Sequence, residues 1–212
     1  MKLGRTAYVT LLPLADRVVF LAATESYVAD RRLEKVGVFT SRGTEKPEHM
    51  LPVLHLVSLE RLSDLVDALK RVVAVATDPR IESARASRLV LTVDVSDPIA
   101  GQIAAKRAWE VAQKLNRQCR LSIVDSSIFD LPAPEKRGWR MMIPRRSVGS
   151  ALFESLQENR LKVDLPYGIG REAAQQIKVF TAKPNRDDYG LDTEDLARTI
   201  ATTVFLQSIL PS

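Results

Sequence analysis

The 212-residue chain carries one cysteine, Cys119, and two histidines, His49 and His55. A lone thiol excludes a disulfide framework and any thiolate zinc site. Two imidazoles exclude a histidine-rich metal centre. Aromatic residues make up 6% of the chain, and no apolar run approaches the ~20 residues of a membrane-spanning helix. Met1-Lys2-Leu3-Gly4-Arg5 leads into a short apolar stretch broken by Pro13 and Asp16, which does not read as a signal peptide. The expected location is the cytoplasm, without a membrane partner. No glycine-rich GxxxxGK[ST] loop occurs, so no nucleotide cofactor is expected. Ser126-Ser127 lacks the context of a nucleophile elbow, and both histidines fall near one predicted strand, which argues against a Ser-His-Asp triad.

What is present is globular: 45% hydrophobic and 27% charged residues, with 9 Gly and 11 Pro. The size suits a single domain over 1–212, with 1–16 as an extra N-terminal strand. The net charge of +5 is unevenly placed. Residues 101–146 hold ten Lys/Arg against Glu110, Asp125, Asp130 and Glu135, so this segment carries +6 and the remainder −1. An anionic partner would meet the chain here. Within the segment, Lys136-Arg137-Gly138-Trp139-Arg140 and Arg145-Arg146 interleave cations with an indole. Arginine and lysine can contact phosphate and tryptophan can stack on an unpaired base. The competing reading is a solvated loop whose arginine stems lie over the surface. Lys136, Arg137, Trp139, Arg140, Arg145 and Arg146 are the candidate nucleic-acid-binding residues.

Hydrophobic periodicity predicts strands over 17–23, 33–41 and 51–57, joined by short polar links as an antiparallel meander. Residues 5–14 are expected to add an edge strand. Leu59, Leu62, Val66, Leu69 and Val73 recur at helical spacing. Residues 89–95 (LVLTVDV) read as a strand covered on both faces. Asp97-Pro98 opens a helix with Ala104, Ala108, Val111 and Leu115 on its core face, and 120–124 forms the next strand. A Pro- and Arg-rich connection then leads to helices near 147–161, 170–181 and 193–209. The result is an α/β mixed sheet, an antiparallel meander followed by parallel strands and flanked by helices, in the element order of the ribonuclease H-like (RNase H-like) fold.

Ligands of open α/β sheets bind beyond the carboxyl ends of parallel strands, where Asp94 and Asp125 fall. A carboxylate there is costly to bury unless paired or bound to a cation. Asp94 reads either as a metal ligand or as a turn residue before the helix, although Asp97 suits the cap better. Asp192-Thr193-Glu194-Asp195 precedes the last helix. Asp192 suits an N-cap, and Glu194 and Asp195 complement the helix dipole. Alternatively, Glu194 or Asp195 faces Asp94 and completes a site for Mg²⁺ or Mn²⁺, which accept carboxylate oxygens alone.

Three stretches between residues 17 and 209 resemble the nuclease domain of phage terminase large subunits. Leu89 to Gly101 is similar to the family's strand ending in an acid and turning into a helix. Ile143 to Leu152, continued by Asn159 to Val163, resembles its basic-start helix and the stretch after it. Gln175 to Phe180, with Asp192 to Ala197, resembles the segment that ends in its acidic pair. The resemblance implies an RNase H-like fold and metal-dependent cleavage of double-stranded DNA during phage DNA packaging, with packaging or assembly proteins as partners. It implies Asp94, Glu194 and Asp195 as catalytic residues and Mg²⁺ or Mn²⁺ as cofactor. The family's first-strand aspartate has no counterpart: the nearest register places Ala22 there. Glu25 would join Asp94 and Asp195 as a metal ligand if that strand ended differently, and Asp16 would serve under another register. Without that carboxylate, the alternative is a catalytically degenerate nucleic-acid-binding or assembly module with the same fold.

Overall fold

The computed structural model describes residues 6–29, 50–77, 88–115, 119–128, 131–163, 165–182 and 194–210. The stretch TAYVTLLP has no charged side chain, so it can be covered on both faces, and it forms β1 (Thr6–Pro13), buried throughout. β2 (Val18–Ala29) returns antiparallel to it, and β3 (Met50–Leu62) pairs antiparallel with β2. Asp64 then accepts the Asp67 N–H at 2.9 Å and caps α1 (Leu65–Ala76). β4 (Arg88–Asp94) lies parallel to β1 on its other side. Asp97 accepts the N–H groups of Ile99 and Ala100 at 3.0 and 2.9 Å, opening α2 (Pro98–Leu115), which leads to β5 (Cys119–Ile128), parallel to β4.

The expected connection after β5 contains a hairpin. β6 (Glu135–Arg137) turns through Gly138 (φ +60°) and Trp139 into β7 (Arg140–Pro144), which pairs parallel with β5. That φ is open to glycine at little cost. α3 (Arg145–Gln157), β8 (Leu161–Val163), α4 (Tyr167–Ala182) and α5 (Asp195–Ile209) complete the described elements. The sheet order is β6-β7-β5-β4-β1-β2-β3-β8. No described helix is long and apolar enough to cross a membrane.

The mixed sheet flanked by helices matches the expected class, but the strand assignment shifts by one place. Residues 6–13 form the central strand of the sheet rather than an added edge. The predicted strand over 17–23 is the first half of the longer β2, and the one predicted over 33–41 lies outside the described residues. Leu59 and Leu62 belong to β3, so helix α1 starts later than their spacing suggested. Its core face is set by the Asp64 cap: Ala68 and Val72 are buried, and Val66 and Val73 point to solvent.

Two cores result. On one face, α3, α4 and α5 cover Tyr8, Leu12, Val19, Leu21, Leu54 and Val90. On the other, α1 and α2 cover Val9, Leu11, Phe20, Leu91 and Val93 through small residues such as Ala104 and Ala108. Buried residues run from Asp195 to Gln207 on every side of α5, as in a helix enclosed by its neighbours.

The close approach of α2 to the end of β4 depends on Gly101, where a Cβ would lie 2.6 Å from the Val95 Cα. Backbone, not a flexible side chain, occupies that space. Gly101→Ala should therefore cost about 1–3 kcal/mol by overpacking and lower Tm by roughly 2–10 °C in thermal melting. An unchanged Tm would show that α2 can shift freely.

Candidate functional site

The carboxyl ends of β1 and β4, the end of β3 and the N-terminus of α5 meet at one edge of the sheet. Leu11 pairs with Val93, and Val19, next to the β1–β2 turn, pairs with Arg61. Asp94, Arg61 and Arg17 therefore share this end.

Asp94 is buried at the last position of β4. The hydroxyl of Ser96 donates to its Oδ1, together with the Ser96 N–H at 3.2 Å and the Ser126 N–H at 3.4 Å. The Ser126 hydroxyl donates to Oδ2. Arg198, one turn into α5, donates from Nε to Ser126 Oγ and from a terminal nitrogen to Ser96 Oγ, each at 2.7 Å. Its Nε also lies 3.6 Å from Asp94 Oδ2. A buried guanidinium thus clasps both serines that hold the carboxylate. Burial lowers the Arg198 pKa, the charge of Asp94 opposes that shift, and the charge of Arg145 adds to it.

Glu194 and Asp195 adjoin in sequence but serve different partners. Glu194 forms a buried ion pair with Arg145 at the start of α3, whose guanidinium also lies 5.1 Å from the Phe180 ring centre. Burial raises the Glu194 pKa although Arg145 and Arg198 pull it down. Asp195 is fully enclosed and takes two hydrogen bonds of 2.7 Å from Arg61, one of 3.3 Å from Arg17 and one of 3.2 Å from Gln176. Burial alone would raise its pKa, but the bonds from Arg61 and Gln176 outweigh that and hold it below the usual carboxylate range. Gln176 reaches over from α4, and its Oε1 accepts the N–H groups of Leu196 and Ala197 at 2.9 and 3.2 Å. This side chain caps α5 where Asp192 was expected to do so; Asp192 lies outside the described residues.

The predicted ligands are therefore only partly brought together. Asp94, Glu194 and Asp195 reach the same end of the sheet, each engaged by a different arginine. Glu25 does not join them. It pairs in register with Leu54, six residues along β2 from Val19, or roughly 20 Å at the rise of a strand. There it is buried and accepts from Gln207, near the C-terminus of α5, and from Tyr27. Glu25 is thus not brought together with Asp94 and Asp195. Asp16 is exposed and paired with Arg17. β1 itself supplies no carboxylate: Thr10, which exchanges a 2.7 Å hydrogen bond with Thr203, faces α5 instead. Asp125 is held by Ser127 at 2.6 and 3.1 Å, with Arg140 at 3.8 Å.

A divalent ion does not fit this donor set. Among the described residues, no group of three or more His, Cys, Asp or Glu side chains could hold a metal ion. Glu194 Oε1 is the one buried carboxylate oxygen among them without a hydrogen-bond partner, and its carboxylate already carries Arg145. An added divalent charge would meet that guanidinium.

The basic stretch divides as well. Lys136, Arg137, Trp139 and Arg146 are exposed, and Arg140 is half-buried beside Asp125. Arg145 is only 7% exposed and is paired with Glu194, apart from the exposed members of the stretch. Sequence reasoning missed Arg198, Arg61, Arg17 and Gln176. Arg198 had a legible signal, a single cation within the otherwise uncharged run Leu196 to Ile209.

Solved structures of the human cytomegalovirus terminase nuclease domain are similar to this fold, each match covering 96% of this chain and 83% of that chain. One has a TM-score of 0.56 at 12% identity, and an Mn-soaked form has 0.53 at 13%. The Mn-soaked, inhibitor-bound form has 0.52 at 12%. At this identity the likeness shows the fold, a mixed sheet of RNase H-like type. No protein-family model matches the chain, and no curated protein matches it in sequence.

Asp195→Asn should lower the unfolding free energy at pH 7 by about 2–3 kcal/mol in urea denaturation. That is less than for a wholly buried pair, because Arg61 keeps Glu172 as a partner. The folded pKa of Asp195 is depressed, so its contribution is present above the ordinary carboxylate pKa of about 4 and is lost as the pH falls through the lower folded value. Wild type and variant should converge in acid; a gap that persists at pH 2 would contradict the ion-pair account.

Proposed function

We propose that this chain is a catalytically silent module of the RNase H-like nuclease fold that binds nucleic acid. The observation that carries the first half is the pairing of Asp94, Glu194 and Asp195 with Arg198, Arg145 and Arg61 at the sheet end where a nuclease would gather its metals. Phosphodiester cleavage by two ions needs carboxylates that are free to coordinate them. Here Asp94 and Asp195 tie the last helix to the sheet, and Glu194 ties it to α3. DNA cleavage during phage packaging, the reading the family resemblance favours, would require this set to come apart.

Binding rests on the charge distribution. The β6–β7 hairpin and the start of α3 expose Lys136, Arg137 and Arg146, within the segment that carries the chain's net positive charge. Phosphate contacts of this kind are independent of sequence and weaken with salt. Double-stranded DNA is the expected partner for such a surface.

Two measurements test the reading. Plasmid incubated with the chain in Mn²⁺ should remain supercoiled, and Mn²⁺ or a chelator should leave Tm unchanged; nicking that disappears in Asp94→Ala would refute catalytic silence. Binding to a short DNA duplex should fall linearly in log affinity with log salt. Replacing Lys136, Arg137 and Arg146 together by alanine should reduce that slope by about 2–3. An unchanged slope would remove the hairpin from the interface.

A further inference from the structure

α2 packs along β4 and β5 but leaves Leu121 and Ile123 of β5 half-buried. These two side chains lie in an open groove of about 700 Å³. Lys106 and Trp109 line it from α2, and Trp139 lines it from the turn of the β6–β7 hairpin. The indoles are 54% and 58% exposed. They are the only tryptophans in the chain, and both border one groove.

Indole surface is costly to leave in water, and two such rings over an apolar floor form a site for a planar, apolar-faced group. The electrostatics select the group. Every residue lining the groove lies within 101–146, the segment of charge +6, and Lys106 is the only charged one among them. Lys136 and Arg137 adjoin Trp139 in the hairpin and are exposed. Glu135 pairs with Arg137 at 3.0 Å and Glu110 with Arg107 at 3.2 Å, yet cations remain in excess. Aromatic rings beside such an excess suit a polyanion that carries stackable rings. In a duplex the base faces are stacked on one another and cannot reach indoles; in a single strand they can.

We infer that the Trp109–Trp139 groove binds unpaired bases of single-stranded nucleic acid, which rests on the nucleic-acid-binding reading above and narrows it. The phosphates would be met by Lys106, Lys136 and Arg137, and the bases by the two indoles. The occupant is a single strand rather than a second copy of this chain, because the segment that supplies the whole lining carries a net +6 and two copies of it would repel.

Since both tryptophans line the groove, intrinsic fluorescence of the full chain reports on it directly. Titration with a twelve-residue oligo-dT should quench the tryptophan emission saturably. Trp109→Ala and Trp139→Ala should each weaken oligo-dT binding roughly 10- to 100-fold, measured by anisotropy of a labelled strand, while a duplex binds as to wild type. Trp109→Phe and Trp139→Phe should retain most of the affinity, and circular dichroism melts should show each variant folded. If duplex binds but oligo-dT causes no quenching, or the alanine variants bind oligo-dT like wild type, the groove assignment falls and the broader reading stands. If neither nucleic acid binds, both fall. Emission that changes with protein concentration alone, together with a dimer in sedimentation, overturns the assignment in favour of a second copy.

Discussion

The arrangement at the sheet end depends on one buried cation. Arg198 lies in a helix with no solvent-facing side over most of its length, and its guanidinium has left water almost entirely. That transfer is tolerable only because Asp94 and two serine hydroxyls replace the lost hydration. In turn, Asp94 can be buried at the end of an apolar strand only because a compensating charge arrives from the helix. Neither group is stable there without the other, so the contact fixes α5 along and around its axis. Arg61 and Gln176 fix the adjacent first turn from two further elements.

The consequence for chemistry is a balance of charge already reached within the protein. A carboxylate cluster that awaits metal has excess negative charge and unfilled acceptor positions. At this sheet end each of the three carboxylates faces a guanidinium, Asp195 a second one from Arg17, and the hydroxyls of Ser96 and Ser126 fill acceptor positions on Asp94. The likeness to terminase nuclease domains is one of backbone architecture. The positive charge left over lies elsewhere, on α2 and the hairpin, on the same flank as the two exposed indoles. Structure and chemistry are divided between the two faces of the β4–β5 region: one is charge-paired within the protein, the other basic and open.

Much of the architecture was legible in the sequence, because buried strands and amphipathic helices announce themselves by period. β4, α2 and α5 begin within two residues of the positions that apolar runs, Asp97-Pro98 and the acidic pair suggested. The central strand was not legible as central: TAYVTLLP has the composition of any buried strand, and only pairing on both sides distinguishes it from an edge. The carboxylates were legible as candidates, yet their partners were not. Arg61 lies 134 residues from Asp195 and Arg145 lies 49 from Glu194, distances over which sequence periodicity carries no information. A charge at a strand end looks the same in a string of letters whether it awaits a metal or already holds an arginine. The hairpin was hidden for a different reason: its strand β6 has three exposed residues and no hydrophobic signal at all.

Thr10 and Thr203 join the middle of β1 to the middle of α5 through a neutral pair of hydroxyls. One residue beyond the Leu11–Val93 pair, Leu12 is completely buried level with Asp94. A carboxylate placed at either position would be buried at a cost, while removal of Arg198 alone would strand Asp94. Each of these single substitutions therefore passes through a buried, uncompensated charge. The interior behaves as a ratchet: its polar residues can be exchanged only in matched sets.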